Sequence, residues 1–224
     1  MEQVIKTLIY GHAFFGGLGL ISGLVSIFVK KGGLKHRKAG KIFTYSIILS
    51  SLLSLIVARM PSHENLFLFL IGIFTIYMVL AGNRALTLRS KIKNKADWKD
   101  KLVSGLMLIT SIVMVLLGIF GVIQKINNSI LYLFFGAFGM FLTLRDFHTF
   151  KTFTHKKNAW LINHLGRMNG ALIASITAFF VAGLNIQTIF IWFLPTIFGT
   201  IYIIYWSKKL KSNIKPFPIK NEEP

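Results

Sequence analysis

The feature that most constrains this chain is a series of seven apolar runs separated by short polar connections. An α-helix needs about 20 apolar residues to cross a bilayer, and in lipid it must satisfy its backbone hydrogen bonds within its own segment. Two of the runs, 42–57 and 129–144, are shorter than that, and the second contains Gly136 and Gly139. We predict an all-α fold, a polytopic membrane helical bundle of seven transmembrane helices in one domain, residues 1–210. The runs cover residues 7–29, 42–57, 66–88, 102–124, 129–144, 160–183 and 186–206.

The composition fits a membrane protein and excludes several kinds of cofactor site. Charged residues make up 15% of the chain, whereas a soluble domain carries about a quarter. The chain has no cysteine, which excludes disulfides, thiolate zinc sites and iron–sulfur clusters. Lysine outnumbers arginine, and isoleucine and phenylalanine are abundant, as is typical of an AT-rich bacterial genome. We therefore predict a multi-pass protein of the bacterial inner membrane. Its first run is longer than a signal-peptide core and is predicted to be retained.

The basic residues lie in alternate connections, and this placement predicts the orientation of the chain. Lys and Arg crowd the connections after the first, third and fifth runs and the C-terminal end, whereas Lys6, Arg59 and Lys125 lie on the opposite side. Since basic loops stay in the cytoplasm, we predict an external N-terminus, a cytoplasmic C-terminus and a disordered basic tail, residues 211–224. Topology and attraction to the anionic headgroups of the lipid bilayer then explain the net charge of +19 without nucleic acid binding.

A cluster of ionisable residues is predicted near the inner ends of the helices, and ionisable residues at depth are functional candidates. Arg167 lies about two turns inside the sixth run if Trp160 marks the interface, and it shares a helix face with His164. Asp146 is the only carboxylate expected at that depth, so we predict that it contacts Arg167 or Arg145. The candidate ligand-binding residues are His36, Arg37, Arg84, Arg145, Asp146, His148, His164 and Arg167.

Three functions are open for this inner cluster. Its remaining positive charge favours a protein that binds or moves a small anionic molecule or a lipid. Alternatively, a membrane redox protein would bind quinone, or would hold b-type haem through the pair His36–His164 or the pair His148–His164. The third possibility is a non-catalytic accessory or assembly protein, whose Arg and His side chains only reach the interface or fix helix register. The sequence contains no catalytic motif, and an enzyme of this kind would be a membrane oxidoreductase.

A second group of polar residues is predicted at the outer side. His12 lies inside the first run, and Arg59, His63 and Glu64 follow the second run. Because imidazole and carboxylate groups suit zinc, the residues His12, His63 and Glu64 form a candidate metal site. The alternative is a hydrogen bond from His12 to a neighbouring helix.

His12 lies in a glycine-rich span, and a Lys-Gly step and a His-Arg-x-x-Gly start to the next helix follow it. These motifs resemble a bacterial family of predicted membrane proteins, known as domain of unknown function 2306. A later stretch, from His164 to Ala171, is similar to proteins of this kind from the Bacteroidetes group. The resemblance implies the membrane topology and no assigned activity. It marks His12, His36, Arg37, His164 and Arg167.

Overall fold

The computed structural model describes residues 2–88, 95–152, 158–186 and 188–212 as an all-α protein. This part of the chain contains seven helices that are long and apolar enough to cross a membrane. The number of helices therefore agrees with the sequence prediction. The helices are α1 (Glu2–Phe28), α2 (Leu34–Val57), α3 (Leu66–Ala85, extended by a 3₁₀ turn, Leu86–Leu88), α4 (Trp98–Ile123), α5 (Ser129–Thr152), α6 (Ala159–Ala178, extended by a π-helical turn, Phe179–Gly183) and α7 (Ile189–Ser212).

The two helices whose apolar runs are short reach full length through polar residues. Helices α2 and α5 have 24 residues each, because α2 begins with residues 34–41 and α5 continues through residues 145–152. Both segments contain Lys and Arg, which are good helix formers, so a helix does not stop where its apolar run stops. Helix α7 likewise runs to Ser212, so the first two residues of the predicted tail are helical, and residues 213–224 lie outside the described residues.

The glycines of the fifth run are packing positions between α4 and α5. A Cβ atom on Gly136 would lie 2.9 Å from the Met114 Cβ atom, and one on Gly139 would lie 2.5 Å from the Ser111 hydroxyl. Small residues of this kind let two helix backbones approach closely in a membrane. The packing of α4 against α5 therefore depends on Gly136 and Gly139, the two glycines that interrupt the fifth apolar run.

Helix α3 is the centre of the bundle. It packs against α2, α4 and α6, while α1 pairs with α2, α4 with α5, and α6 with α7. Half of the most apolar part of α3 is buried, whereas Trp192 is the one buried residue of α7. Large apolar side chains on the outside, such as Phe14, Leu116 and Phe198, remain exposed, as suits helices that contact lipid.

The first turn of α4 is set by a capping box. The Asp97 side chain accepts from the backbone N–H of Asp100, and the Asp100 side chain accepts from the backbone N–H of Asp97. This reciprocal arrangement satisfies two backbone donors that a helix start otherwise leaves open. Helix α4 consequently begins at Trp98, four residues before the apolar run, and Asp100 is turned into the bundle.

Candidate functional site

Arg167 is a buried arginine on α6, with 6% of its surface exposed. Its Nη2 group donates to the Asp146 carboxylate at 2.6 Å and to the Leu142 carbonyl oxygen at 3.0 Å, both on α5. The guanidinium also lies 5.1 Å from the ring centroid of Tyr77 on α3, close enough for a cation–π interaction. The predicted contact between Asp146 and Arg167 is therefore present, and Arg145 is exposed.

Asp146 joins four helices through one carboxylate. Besides the bond from Arg167, it accepts from the Tyr77 hydroxyl on α3 at 2.6 Å and from the Ser104 hydroxyl on α4 at 3.0 Å. Hydrogen bonds to a charged group are shorter and stronger than neutral ones. Helices α3, α4, α5 and α6 thus meet at a single side chain.

A second ion pair lies beside the first. The Arg84 side chain, at the end of α3, donates to Asp97 at 2.6 Å and to Asp100. Asp100 is 3% exposed. The expectation that Asp146 is the only carboxylate at this depth is therefore wrong. The sequence signal for Asp100 was the spacing of Asp97 and Asp100, because acidic residues three apart before an apolar run predict a capped helix start.

The two ion pairs share a small cavity. It has a volume of about 30 Å³ and is lined by both pairs together with Ser104, Thr149 and Asn163. A space of that size holds about one water molecule.

Of the eight residues predicted from the sequence, Arg84, Asp146 and Arg167 line this ion-pair cavity. Tyr77, Ser104, Asp97 and Asp100 complete the polar network, and the apolar runs alone gave no reason to select them.

The charge of the ion-pair cavity differs from the sequence prediction. Two guanidinium groups face the carboxylates of Asp97, Asp100 and Asp146, so the described site has no excess of positive charge. Arg37 and Arg145 are exposed and do not line it. An anion that enters this site must therefore compete with a carboxylate for Arg84 or Arg167.

The predicted histidines have separate positions. The His164 Nδ1 group lies 2.9 Å from the Gly82 carbonyl oxygen and links α6 to α3, while the His36 Nδ1 group lies 3.0 Å from the Ser26 carbonyl oxygen and links α2 to α1. His148 is exposed on α5. None of the three lines the ion-pair cavity. Contacts of this kind fix helix register, and haem ligation by these residues stays a prediction.

The outer group does not come together as a metal site. The His12 Nδ1 group lies 2.9 Å from both the carbonyl and the hydroxyl oxygen of Ser50, and the Ser50 hydroxyl donates to the His12 carbonyl oxygen at 2.9 Å. His63 contacts the carbonyl oxygen of Pro61 in its own loop, and Glu64 is exposed. Within the described ranges, no three His, Asp or Glu side chains are placed to hold a metal ion. His12 thus joins α1 to α2, which is the hydrogen-bond alternative.

Comparison with known proteins adds no relative. No protein-family model matches the chain, and no curated protein or solved structure matches it significantly.

Proposed function

We propose that this protein is a multi-pass membrane protein that binds and moves a small monovalent anion at the ion-pair cavity, with Asp146 as the proton acceptor that controls Arg167. The observation that supports it is the Arg167–Asp146 pair, whose side chains are 7% and 15% exposed where four apolar helices meet. Ionisable pairs at such depth mark ion and proton pathways in membrane proteins. With the orientation predicted from the basic loops, in a bacterial inner membrane, the ion-pair cavity lies near the cytoplasmic face.

Proton uptake at Asp146 and anion binding beside Arg167 are coupled because an arginine and an aspartate differ in their acid–base chemistry. A guanidinium group keeps its charge in proteins, whereas a carboxylate can take up a proton. A proton on Asp146 would leave Arg167 as a buried charge without a counter-charge, and breaking a buried pair in this way costs about 3–5 kcal/mol. An anion beside Arg167 restores the missing charge. Proton uptake and anion binding therefore favour each other.

The size of the ion-pair cavity restricts the anion. A space of about 30 Å³ accepts a group the size of a water molecule without displacement of the helices. We therefore expect a monatomic or similarly small anion to enter more readily than an organic acid. Fluoride, chloride and acetate form a size series that tests this.

The proposal is tested on the full chain in proteoliposomes, with an ion-selective electrode for the anion and an internal dye for pH. We expect flux of fluoride or chloride to exceed flux of acetate, to be accompanied by protons and to increase as the external pH falls. Arg167→Gln should abolish the flux. Arg145→Gln, which changes an exposed arginine next to Asp146, should leave it unchanged.

A conservative change at the acid separates transport from folding. Asp146→Asn imitates the protonated carboxyl group and still accepts from Tyr77 and Ser104. We expect it to bind the anion at all pH values and to lose coupled proton movement. The proposal is wrong if a folded Arg167→Gln protein transports as the wild type does, or if wild-type protein neither binds nor moves any of the three anions.

A further inference from the structure

A second, larger cavity lies between α1, α6 and α7. Its volume is about 340 Å³, within the range of ligand sites in proteins. Its walls include Ile27 of α1, Ile173 and Ile176 of α6, and Leu194 and Phe198 of α7. Leu194 and Phe198 are 46% and 67% exposed, so this apolar cavity opens sideways through α7, toward the position that lipid would occupy. It shares no lining residue with the ion-pair cavity.

Both α6 and α7 depart from regular helix geometry where they line the apolar cavity. Helix α7 contains Pro195, which has no backbone N–H and removes one helical hydrogen bond. Helix α6 ends in the π-helical turn Phe179–Gly183, and Phe180 of that turn lines the apolar cavity. Single π-helical turns occur frequently at functional sites. The apolar cavity is therefore bordered by irregular backbone on two sides.

One end of the apolar cavity has a hydroxyl group without an acceptor. The Tyr202 hydroxyl oxygen is buried, and its hydrogen is donated to no described residue. The neighbouring Trp206 ring, 6.2 Å away between centroids, carries an indole N–H that can only donate. The hydroxyl hydrogen of Tyr202 thus lacks an acceptor, which is costly for a buried polar group.

Two lysines lie at the same end. The Lys31 ammonium is 5.7 Å from the Tyr202 ring centroid and 5.5 Å from that of Trp206, and the Lys209 ammonium is 5.0 Å from the Trp206 ring. Lys31 also donates to the Ser26 and Ile27 carbonyl oxygens at the end of α1. In the described ranges neither lysine forms an ion pair with a carboxylate. Burial lowers the pKa of Lys31, so a nearby anion would favour its charged form.

We propose that the apolar cavity holds one acyl chain of an anionic phospholipid, whose phosphate lies beside Lys31 and Lys209 and whose ester or phosphate oxygen accepts from Tyr202. The apolar walls match a hydrocarbon chain, and the lateral opening admits it from the bilayer. The two cations and the unsatisfied donor match the anionic phosphate and the ester groups of such a lipid, which carry only acceptors. A zwitterionic lipid such as phosphatidylcholine would add its own cation beside the two lysines, and a quinone would accept from Tyr202 but would leave both lysines without a counter-charge.

The test is native mass spectrometry of the full chain. The protein is held in detergent that contains phosphatidylglycerol or phosphatidylcholine and is then released from the micelle in the instrument. We expect wild-type protein to retain one phosphatidylglycerol molecule and to prefer it about tenfold, which corresponds to about 1.4 kcal/mol. Lys31→Gln should remove the preference. Lys35→Gln changes an exposed lysine in the first turn of α2 and should keep the preference for phosphatidylglycerol.

Two further variants separate the chain site from the head site. Ile176→Trp fills the apolar cavity and should abolish retention of either lipid, whereas Ile201→Trp, at a 59% exposed position of α7, should not. Tyr202→Phe keeps the packing and should reduce retention of phosphatidylglycerol. Equal retention of the two lipids by wild-type protein, undiminished retention by Ile176→Trp, or a neutral lipid or quinone retained in place of phosphatidylglycerol would each overturn the proposal.

Discussion

The two cavities of this bundle are opposites in size and in hydrogen bonding. The ion-pair cavity is small, about 30 Å³, and its acids and arginines bond to one another across α3, α4, α5 and α6. The apolar cavity is more than ten times larger, about 340 Å³, and its buried hydroxyl, on Tyr202, has no acceptor among the described residues. The first cavity is thus complete without a ligand, and the second is not.

This difference separates two ways in which a polar group can exist inside apolar helices. At the ion-pair cavity the cost of burying charge is offset by specific partners, so the site is stable and a ligand must displace a partner. At the apolar cavity the donor is left open, so a ligand adds a missing bond. We expect changes to the first to affect stability as well as transport, and changes to the second to affect binding with little effect on stability.

The largest effect should come from breaking the Arg167–Asp146 pair. Arg167→Met should lower the free energy of unfolding by about 3–5 kcal/mol, because the Asp146 carboxylate would remain buried without its counter-charge. The double variant Arg167→Met with Asp146→Leu should recover most of the loss, since it removes both charges. Reversible unfolding in mixed micelles measures these values.

Arg145→Met is the matched control for this prediction. Arg145 is exposed, and surface changes usually alter stability by less than about 0.5 kcal/mol. If the double variant is as unstable as Arg167→Met, the pair does not act as a unit, and the contrast with the apolar cavity fails.

The same substitution at two tyrosines sharpens the comparison. Tyr77→Phe removes a donor to the Asp146 carboxylate and should cost about 1.5–3 kcal/mol, as for hydrogen bonds to charged groups. Tyr202→Phe removes a hydroxyl that has no acceptor among the described residues and should cost less in lipid-free detergent. We therefore predict that Tyr77→Phe loses more stability than Tyr202→Phe when the same unfolding assay measures both variants. Similar losses at both positions would show that Tyr202 is already satisfied without a ligand.

Two glycines test how tightly the ion-pair cavity is packed. A Cβ atom on Gly82 of α3 would lie 3.0 Å from the Arg167 Cβ atom and 2.8 Å from the Met168 sulfur, whereas one on Gly166 of α6 would contact nothing within 4 Å. Gly82→Ala should therefore destabilise the fold by about 1–3 kcal/mol through overpacking. Gly166→Ala should be neutral or stabilising, because alanine favours helix by about 1 kcal/mol. A larger loss at Gly166 than at Gly82 would contradict this packing.

The sequence predicted the helices well and the site in part, for physical reasons that differ. Long apolar runs report bilayer length directly, so seven helices could be counted. The pairing of Asp146 with an arginine, either Arg167 or Arg145, could be predicted too, because a buried arginine needs a carboxylate. Asp100 was missed because a hydropathy run begins at the first apolar residue, whereas α4 begins at Trp98, directly after its cap, Asp97.

The apolar cavity could not be predicted from the sequence at all. Its lining residues, such as Ile173, Leu194 and Phe198, are of the types expected on any membrane helix. What creates the space is the placement of three helices that are distant in the chain, α1 and the pair α6–α7. Pro195 and the two polar lining residues, Asn169 and Tyr202, were the local signals, and none of them shows which helices lie opposite. An ion pair requires particular residue types, which the sequence shows, whereas a cavity between helices is lined by the same apolar residues as any other helix contact.

The smallest predicted effect is a pH dependence at Lys31. Since its folded pKa lies below the ordinary value of 10.5, the unfolded chain holds the proton more tightly there, and the folded protein should gain stability as the pH rises toward 10.5. Lys31→Met should remove that gain, whereas the exposed Lys35→Met should retain it. Bound phosphatidylglycerol should also reduce the gain, because a phosphate beside Lys31 stabilises the ammonium form. Unfolding of the three proteins between pH 7 and pH 11, with and without the lipid, measures it. A gain that persists in Lys31→Met arises from another group, and a gain that phosphatidylglycerol leaves unchanged means that the lipid phosphate does not lie at Lys31.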